Sequence, residues 1–472
     1  MVKIGLEIHG YLKTKEKLFC KCNAIHGAKF TKPNTNICPI CTGQPGAKPM
    51  LPNKEAINKA IKISLILGCK INPKLVWQRK HYDWPDLPKG YQNTISGTYA
   101  SPLGEKGKFL GIRITEAHIE EDPASWNPNT GEIDYNKSGY SLIEIVTEPD
   151  FTSSKEVIGW MKQLVGTLVY MKAIDKNLGI KADVNVSIKN GERIEMKNIN
   201  SLKNIKAAID FELQRQKKSG ELPKKQETRM FDENKGITIK MREKELAEDY
   251  RFISEPDLPV IKLEKTKVNE VKKSIPEMPQ KKITRLVKKH KIGEKHAGVL
   301  TKNLDVVEFF ENIVEKTNPL LATNWVTGEL LRVLNYSKKE LHEVNIQHTH
   351  FVELLNLIEK KVITELKAKE ILNSFIPNSF SLKQTKAKPK TIKASVKVQR
   401  PKVIISEIGV ISNKKELEKI AKKIIKENPK AISDYKKGKQ EALNFLIGQM
   451  MRASKKRADY NIAKKILIKN LE

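Results

Sequence analysis

The sequence lacks the short motifs that mark the common nucleotide-binding folds and hydrolases. It has no G-x-x-x-x-G-K-[ST] phosphate-binding loop, no G-x-G-x-x-G dinucleotide fingerprint and no G-x-S-x-G nucleophile elbow. It also has no Gly-Gly pair, so the Gly/Ser-rich stretch of amidase-type hydrolases is absent. If this chain uses ATP, it must therefore do so through an unusual fold.

Long apolar runs are missing as well. No hydrophobic run approaches the roughly 20 residues of a membrane-spanning helix, and charge appears at Lys3 and Glu7, too early for a signal peptide. We therefore expect a cytosolic protein that does not enter a membrane. With 472 residues, 39% of them hydrophobic, the chain is long enough for about two to four globular domains.

Cysteine is scarce and concentrated in one stretch. The chain has five cysteines, and four of them form the pairs Cys20-x-Cys22 and Cys38-x-x-Cys41. Two short pairs at the ends of one loop supply the four thiolates of a tetrahedral Zn²⁺ site, which leaves no open position for water and is therefore structural. Disulfides, the alternative, are disfavoured in a reducing compartment. Cys69 stands alone in "LILGCK" and is expected in the core.

Basic residues outnumber acidic ones, most strongly towards the C-terminus. The chain has 87 Lys and Arg against 55 Asp and Glu, and residues 381–472 hold 25 of the basic and 8 of the acidic residues, a net charge of +17. A cationic region of this kind suits a polyanion such as a nucleic acid backbone. The alternative is an AT-rich genome that favours lysine, but such a bias predicts an even spread of charge along the chain.

The chain has two parts with different patterns. Residues 1 to about 265 contain runs that alternate apolar and polar residues, such as "KIGLEIHG", "GIRITEAHI", "SLIEIVTEP" and "ADVNVSI", as half-buried strands do. Between them one helix begins at the capping box Ser153-x-x-Glu156, and a second runs on from Ser201. The rest is helical almost throughout, apart from the basic stretch 381–401, which we interpret as a flexible connector.

The predicted strands carry acidic residues and one histidine between apolar neighbours. Glu7 and His9 are two residues apart and so share one face of a strand, while the flanking Leu6 and Ile8 face the core. Oxygen ligands with a histidine suit Mg²⁺ or Mn²⁺, which would offset charge in phosphoryl transfer. The alternative is a set of scattered surface acids. The other members of the set are Glu120, Glu121, Glu144, Glu148, Asp183 and Asn185.

Several long motifs occur in the order found in one known family. Among them are "KIGLEIHGYL", "CPICTGQPGAKP", "PDLPKGYQ", "HIEEDP", "SGYSLIEIVTEPD", "EMKNINS" and "GKQEALNFLIGQMMRAS". From Val2 to about Lys469 the chain resembles the GatB/GatE family of tRNA-dependent amidotransferase subunits. Within that family it resembles GatB, the B subunit of the aspartyl/glutamyl-tRNA amidotransferase, because it has no room for the large domain inserted in archaeal GatE.

The resemblance implies a fold and a function. It implies an α+β catalytic cradle with a central antiparallel sheet over residues 1–265, a helical connector over 266–320 and a YqeY-like helical tail over 321–472 that binds tRNA. Such subunits use ATP and Mg²⁺ to phosphorylate the side-chain carboxylate of Glu-tRNA(Gln) or Asp-tRNA(Asn), and ammonia then replaces the phosphate. The glutaminase subunit GatA supplies the ammonia, which agrees with the missing nucleophile motifs, and a small GatC completes a heterotrimer.

The resemblance also assigns residues by position. Glu7, His9, Glu121 and Glu144 match the family positions around Mg²⁺ and the acyl phosphate. The zinc positions are Cys20, Cys22, Cys38 and Cys41. The resemblance gives five further residues as supports of the catalytic site, or as contacts to the cofactor or to the acceptor end of the tRNA: Glu120, Glu148, Asp183, Asn185 and Lys197.

Three departures from the family pattern are visible. Many relatives read Ala-Gly-Lys after "HIEED", whereas this chain has Pro123-Ala124-Ser125, so a role for that lysine is absent or supplied elsewhere. "KHYDWPDLPKGYQ" replaces "KNYFYPDLPKGYQ", and the stretch 381–401 is longer and more basic than usual. A rival interpretation from a different class is a non-catalytic zinc-ribbon RNA-binding factor, which leaves the strand carboxylates unexplained.

Overall fold

The structure is a computed structural model that describes residues 2–25, 31–218, 222–243, 251–344, 346–375 and 414–471. The predicted basic connector at 381–401 lies outside these residues. The chain divides into two compact units, Met1–Met278 and Pro279–Glu472. The boundaries expected near 265 and 320 remain predictions. In the ranges given above, no helix is long and apolar enough to cross a membrane.

The first unit is rich in strands. They are β1 (Lys3–Tyr11), β2 (Lys70–Ile71), β3 (Lys74–Leu75), β4 (Gln78–His81), β5 (Gln92–Thr94), β6 (Gly104–Phe109), β7 (Ile112–Glu121), β8 (Ser125–Trp126), β9 (Ile133–Asp134), β10 (Ser141–Thr147), β11 (Ile180–Ser187), β12 (Ile194–Asn200), β13 (Glu227–Asp232), β14 (Ile237–Glu243), β15 (Arg251–Ser254) and β16 (Ile261–Lys262).

Twelve of these strands form one sheet, in which ten follow the order β14-β13-β12-β11-β1-β10-β7-β5-β4-β15, with β6 on β7 and β2 on β6. Among the described strands, each pair is antiparallel except β12 with β13. That pair is parallel because the chain leaves β12 through a helix and returns at β13, as a crossover connection requires. The predicted α+β class is confirmed, but the sheet is mixed, where a central antiparallel sheet was expected.

Alternation along β1 separates the core face from the polar face. Leu6 and Ile8 are buried, whereas Glu7 and His9 are only partly buried. Burying a Leu or Ile side chain is worth roughly 1.5–3 kcal/mol, and a slip of one residue would move both out of the core. The predicted orientation of this strand is confirmed.

Helices of the first unit are α1 (Lys54–Ile66), α2 (Ser154–Tyr170), α3 (Leu202–Lys217) and α4 (Lys265–Lys273). The predicted start of α2 is confirmed, because Ser153 caps the helix by accepting from the backbone N–H of Glu156. Helix α3 packs on β11, β12 and β14, α1 packs on β6 and β7, and α2 packs on α3. The cysteine-bearing loop lies between β1 and α1.

The described part of the second unit contains helices and no strand. They are α5 (Pro279–His290), α6 (Glu294–Leu300), α7 (Leu304–Val314), α8 (Pro319–Asn324), α9 (Leu331–Ser337), α10 (His348–Glu359), α11 (Glu365–Ser374), α12 (Lys414–Glu427), α13 (Pro429–Lys436), α14 (Gln440–Ala453) and α15 (Tyr460–Leu471). A π-helical turn, Trp325–Leu330, joins α8 to α9. The last four helices enclose a core of their own, in which Leu417, Leu446 and Leu467 are buried.

Candidate active site and metal centre

A row of acidic side chains and histidines crosses five neighbouring strands, β12, β11, β1, β10 and β7. The register sets Glu7 opposite Asp183, His9 opposite Glu144, and Glu144 opposite His118. Residues directly opposite each other in paired strands project from the same face of the sheet. The row consists of Glu195, Asp183, Glu7, His9, Glu144, Glu120, His118 and Glu116.

His9 lies between two carboxylates. Its Nε2 is 3.3 Å from Oε2 of Glu144 and 3.5 Å from Oε1 of Glu120. Burial alone would lower the pKa of His9, but the charges of Glu144 and Glu120 outweigh burial and raise it to about 9. These three side chains place one ligand atom each within 4.8 Å of the others, which is close enough to hold one metal ion.

A second histidine, His118, supports the same carboxylate. Its Nε2 is 3.1 Å from Oε2 of Glu144, and its Nδ1 is 3.0 Å from Oε1 of Glu116, in a contact that lacks hydrogen-bond geometry. Burial lowers the pKa of His118, yet the charge of Glu144 and the contact with Glu116 raise it to about 10. Both histidines thus contact the same oxygen of Glu144, Oε2.

A second acidic group continues the row on the other side of β1. Glu7, Asp183 and Glu195 also bring one oxygen each within 4.8 Å of one another. Here a cation is already present, because Lys197 Nζ lies 3.2 Å from Oδ2 of Asp183 and 3.2 Å from Oε1 of Glu195. Asn185 donates from Nδ2 to Oε1 of Glu7 over 3.1 Å. Asp183, Asn185 and Lys197, which the resemblance gave as supports or contacts of the site, thus lie close to Glu7 or to its neighbours.

The acids of the row repel one another. Burial, followed by the charge of Glu144, raises the pKa of Glu120, and the same two causes raise the pKa of Glu7. Glu144 differs, because His118 and His9 overcome the effect of burial and hold its pKa well below the usual value. A bound cation would relieve the repulsion at Glu120 and Glu7.

Two of the predicted residues lie apart from the row. Glu121 follows Glu120 directly and projects to the opposite face, where its Oε1 accepts from Lys89 Nζ and, over 2.9 Å, from the backbone N–H of Asn93. Glu148 lies beyond the end of β10 and accepts from the hydroxyl of Thr115 over 2.9 Å. The structure therefore brings Glu120, rather than Glu121, to His9 and Glu144.

The four cysteines of the loop form a separate cluster. The Sγ atoms of Cys20, Cys22, Cys38 and Cys41 all lie within 4.8 Å of one another, as a tetrahedral site requires. The backbone N–H of Cys38 donates to Sγ of Cys41 over 3.2 Å. Cys69 is buried and takes no part in this cluster, as the sequence predicts. The cluster is compatible with the expected zinc.

Comparison with known proteins covers both units. A family model described as the GatB/GatE catalytic domain matches residues 2–269, and a second, described as the GatB domain, matches residues 308–471. The chain belongs to the GatB/GatE family.

Curated relatives match over nearly their full length. The B subunit of the aspartyl/glutamyl-tRNA(Asn/Gln) amidotransferase of Methanocaldococcus jannaschii is 43% identical over 475 residues, which cover 97% of this chain and 95% of the relative. The same protein of Methanobrevibacter smithii is 43% identical over 99% of both chains, and that of Methanothermobacter thermautotrophicus is 42% identical over 97% of both. The carboxylate–histidine row and the cysteine cluster both fall in the stretch matched by the GatB/GatE catalytic domain.

Three members of the row, Glu116, His118 and Glu195, were missed by sequence reasoning. Glu116 and His118 stand in "EAHIEED" four and two residues before Glu120, so all three share a strand face. Glu195 stands in "IEMKNI" two residues before Lys197. In each case the even spacing was a usable signal, because the residue lies on the same face as one that was predicted.

Proposed function

We propose that this chain is the B subunit of a tRNA-dependent amidotransferase and activates the side-chain carboxylate of Glu-tRNA(Gln), Asp-tRNA(Asn) or both. The observation that carries the proposal is the row of carboxylates and histidines within the stretch matched by the GatB/GatE catalytic domain. The names of the full-length relatives support the same activity. The substrate would be a mischarged tRNA.

The proposed reaction has two steps, phosphorylation of the carboxylate and its replacement by an amide. A side-chain carboxylate oxygen attacks the γ-phosphorus of ATP, ADP leaves, and an acyl phosphate results. Ammonia then attacks the acyl carbon, inorganic phosphate leaves, and the nitrogen loses a proton to give the amide. Activation is needed because a carboxylate is a poor electrophile. We propose that GatA supplies the ammonia from glutamine and that GatC completes the heterotrimer, since the sequence has no nucleophile elbow of its own.

The donor set suits Mg²⁺. We propose that His9, Glu120 and Glu144 would hold it, since the glutamates offer carboxylate oxygens and His9, once it has lost its proton, offers a nitrogen on the same face. When bound, Mg²⁺ offsets the charge on the transferred phosphoryl group. In this proposal Glu120 takes the place that the family resemblance assigned to Glu121. Lys197 already neutralises much of the group around Glu7, so we assign that group to positioning rather than to a second ion.

His118 positions Glu144 in this proposal. It occupies one oxygen of Glu144 and is itself held by Glu116, which accepts from the hydroxyl of Ser96 over 2.5 Å. We expect His118→Ala to lower the rate of tRNA-dependent ATP cleavage about 10- to 100-fold, the usual cost of losing a group that orients a metal ligand. The concentration of Mg²⁺ that gives half-maximal rate should rise in parallel.

The test of His118 is a titration of ATP cleavage against Mg²⁺ in the complex. His290→Ala is the matched control, because His290 lies on α5 in the second unit and belongs to none of the three candidate metal-binding groups. A His118→Ala enzyme with a normal Mg²⁺ requirement would show that the histidine does not orient Glu144.

The four cysteines suit a structural Zn²⁺. Four thiolates fill a tetrahedron and leave no position for a reacting water, so the site would hold the loop between β1 and α1 in place. We propose one Zn²⁺ for each chain, with no direct part in the chemistry.

An assay of ATP cleavage tests the proposed function. Purified complex, ATP and Mg²⁺ should give ADP rapidly with mischarged tRNA and slowly with uncharged tRNA, because the carboxylate of the attached amino acid is the phosphoryl acceptor. The measurement is ADP released per mole of complex. A zinc-ribbon RNA-binding factor without catalysis would bind both tRNAs and cleave no ATP, and that result would remove the proposal.

A further inference from the structure

Lys17 is a lysine inside the protein. Its side chain is 1% exposed, although lysine is among the residues least often buried. Its Nζ donates to Sγ of Cys41 over 3.4 Å, to the carbonyl of Asn36 over 3.1 Å and to the carbonyl of Tyr135 over 3.4 Å. All three donor positions of the ammonium are thus used within the fold.

No carboxylate pairs with Lys17 among the residues that the structure describes. Its Nζ also lies 5.7 Å from the centroid of the Tyr140 ring. A buried ammonium is costly unless an anion compensates it. Carbonyl oxygens and a ring supply partial charge only, so the group able to carry a full negative charge beside Nζ is the sulfur of Cys41.

The state of the cysteines decides whether that charge exists. Four protonated thiols, or two disulfides, are neutral and would leave Lys17 without a counter-charge. Four thiolates around one divalent cation keep an excess of two negative charges, which a neighbouring ammonium reduces to one. A hydrogen bond from a charged donor is also stronger than one from a neutral donor. The buried position of Lys17 thus fits a loaded metal–thiolate centre and fits neither neutral state.

We propose that Lys17 is the internal counter-ion of a metal–thiolate centre and positions it against the turn that leads into β10. This inference rests on the zinc site proposed above. Two contacts link the centre to this turn. Nζ of Lys17 donates both to Sγ of Cys41 and to the carbonyl of Tyr135, and the hydroxyl of Ser138 donates to the carbonyl of Cys41 over 2.7 Å. Strand β10 carries Glu144. Lys17 therefore connects the metal loop to the strand of the catalytic row.

The experiment compares Lys17→Met with Lys21→Met in the full chain. Lys21 lies between Cys20 and Cys22, but its side chain is 70% exposed and pairs with Glu16 at the surface. We expect zinc transfer to the chelator 4-(2-pyridylazo)resorcinol to be about 10- to 100-fold faster from Lys17→Met than from the wild type, as for other groups that support metal ligands. Alkylation of the cysteines by iodoacetamide should be faster as well. Lys21→Met should match the wild type in both measurements.

The outcomes separate the two proposals. Wild-type protein that contains no zinc would refute the zinc site itself. Zinc in all three proteins, with equal release and alkylation rates, would refute the role of Lys17 and leave the zinc site standing.

A second measurement uses only the wild-type protein, so it tests the proposal even if the Lys17→Met chain does not fold. Wild-type protein is treated with formaldehyde and a borohydride, before and after zinc is removed by the chelator, and the methylated lysines are mapped by mass spectrometry. Lys17 should be protected in the zinc-loaded protein and become modified after zinc is removed, whereas Lys21 should be modified in both states. Continued protection of Lys17 after complete removal of zinc would overturn the counter-ion role.

Discussion

Glu144→Gln is expected to abolish tRNA-dependent ATP cleavage and to leave the affinity for tRNA nearly unchanged. Glutamine keeps the size and shape of the side chain and removes its charge. In the structure that charge lies 3.3 Å from Nε2 of His9 and 3.1 Å from Nε2 of His118, beside Glu120. The substitution takes away both a proposed Mg²⁺ ligand and the group on which two histidines converge. We expect a rate loss of about 100-fold or more, as when one preorganised charge of an active site is removed.

The matched control is Glu192→Gln, an equal loss of charge at an exposed turn before β12. ADP formation with mischarged tRNA measures activation, filter binding measures tRNA affinity, and glutaminase activity of the complex reports on the partner protein. Basal glutaminase activity should persist, because the proposed function places the glutaminase nucleophile in GatA, a different chain. Near-normal ATP cleavage by Glu144→Gln at saturating Mg²⁺ and ATP would mean that the row has no role in catalysis and that the metal site lies elsewhere.

The pair Glu120 and Glu121 shows what sequence reasoning reached and where it stopped. The alternating pattern of β7 and β1 predicts that acids and histidines share one face, and the structure has that face. Glu120 joins it because Glu120 follows the buried Ile119 and projects away from the core, whereas Glu121 lies on the same side of the strand as Ile119. The family resemblance favoured Glu121, whereas the even spacing of Glu116, His118 and Glu120 in the sequence places these three on one face.

The order of the strands within the sheet could not be predicted from the sequence either. His9 meets Glu144 and Glu7 meets Asp183 only because β1 lies between β10 and β11, although these strands are far apart along the chain. Local signals did predict the start of α2, since the cap at Ser153 is a contact between near neighbours. The role of Lys17 could not be predicted from the sequence, because a lysine in a lysine-rich loop differs from its neighbours only once its burial is known.

Deletion of residues 381–472 is expected to weaken tRNA binding strongly and to flatten its dependence on salt. Residues 414–471 carry 17 Lys and Arg and 6 Asp and Glu, and lysines such as Lys419, Lys422 and Lys426 are available on α12. Each phosphate contact that the deletion removes should reduce the slope of log K against log salt by about 0.9 on duplex regions of the RNA. Because several such contacts would be removed together, affinity near 0.1 M salt should fall by more than about 10-fold.

The remaining protein should stay folded, which makes this deletion informative. The described core of the last four helices consists of residues between Leu417 and Leu471, so the deletion removes that core whole. Two polar contacts join α11 and its preceding residue to the deleted region. The hydroxyl of Thr364 donates to the carbonyl of Lys456, and Glu370 pairs with the side chain of Lys456. The loss of such contacts near the surface costs little stability. A milder variant with Gln at Lys419, Lys422 and Lys426 should lower the slope in part. If the truncated protein bound tRNA with unchanged affinity and unchanged salt slope, the charge of this region would reflect composition alone, and the tRNA-binding surface would have to lie in the first unit or in α5 to α11.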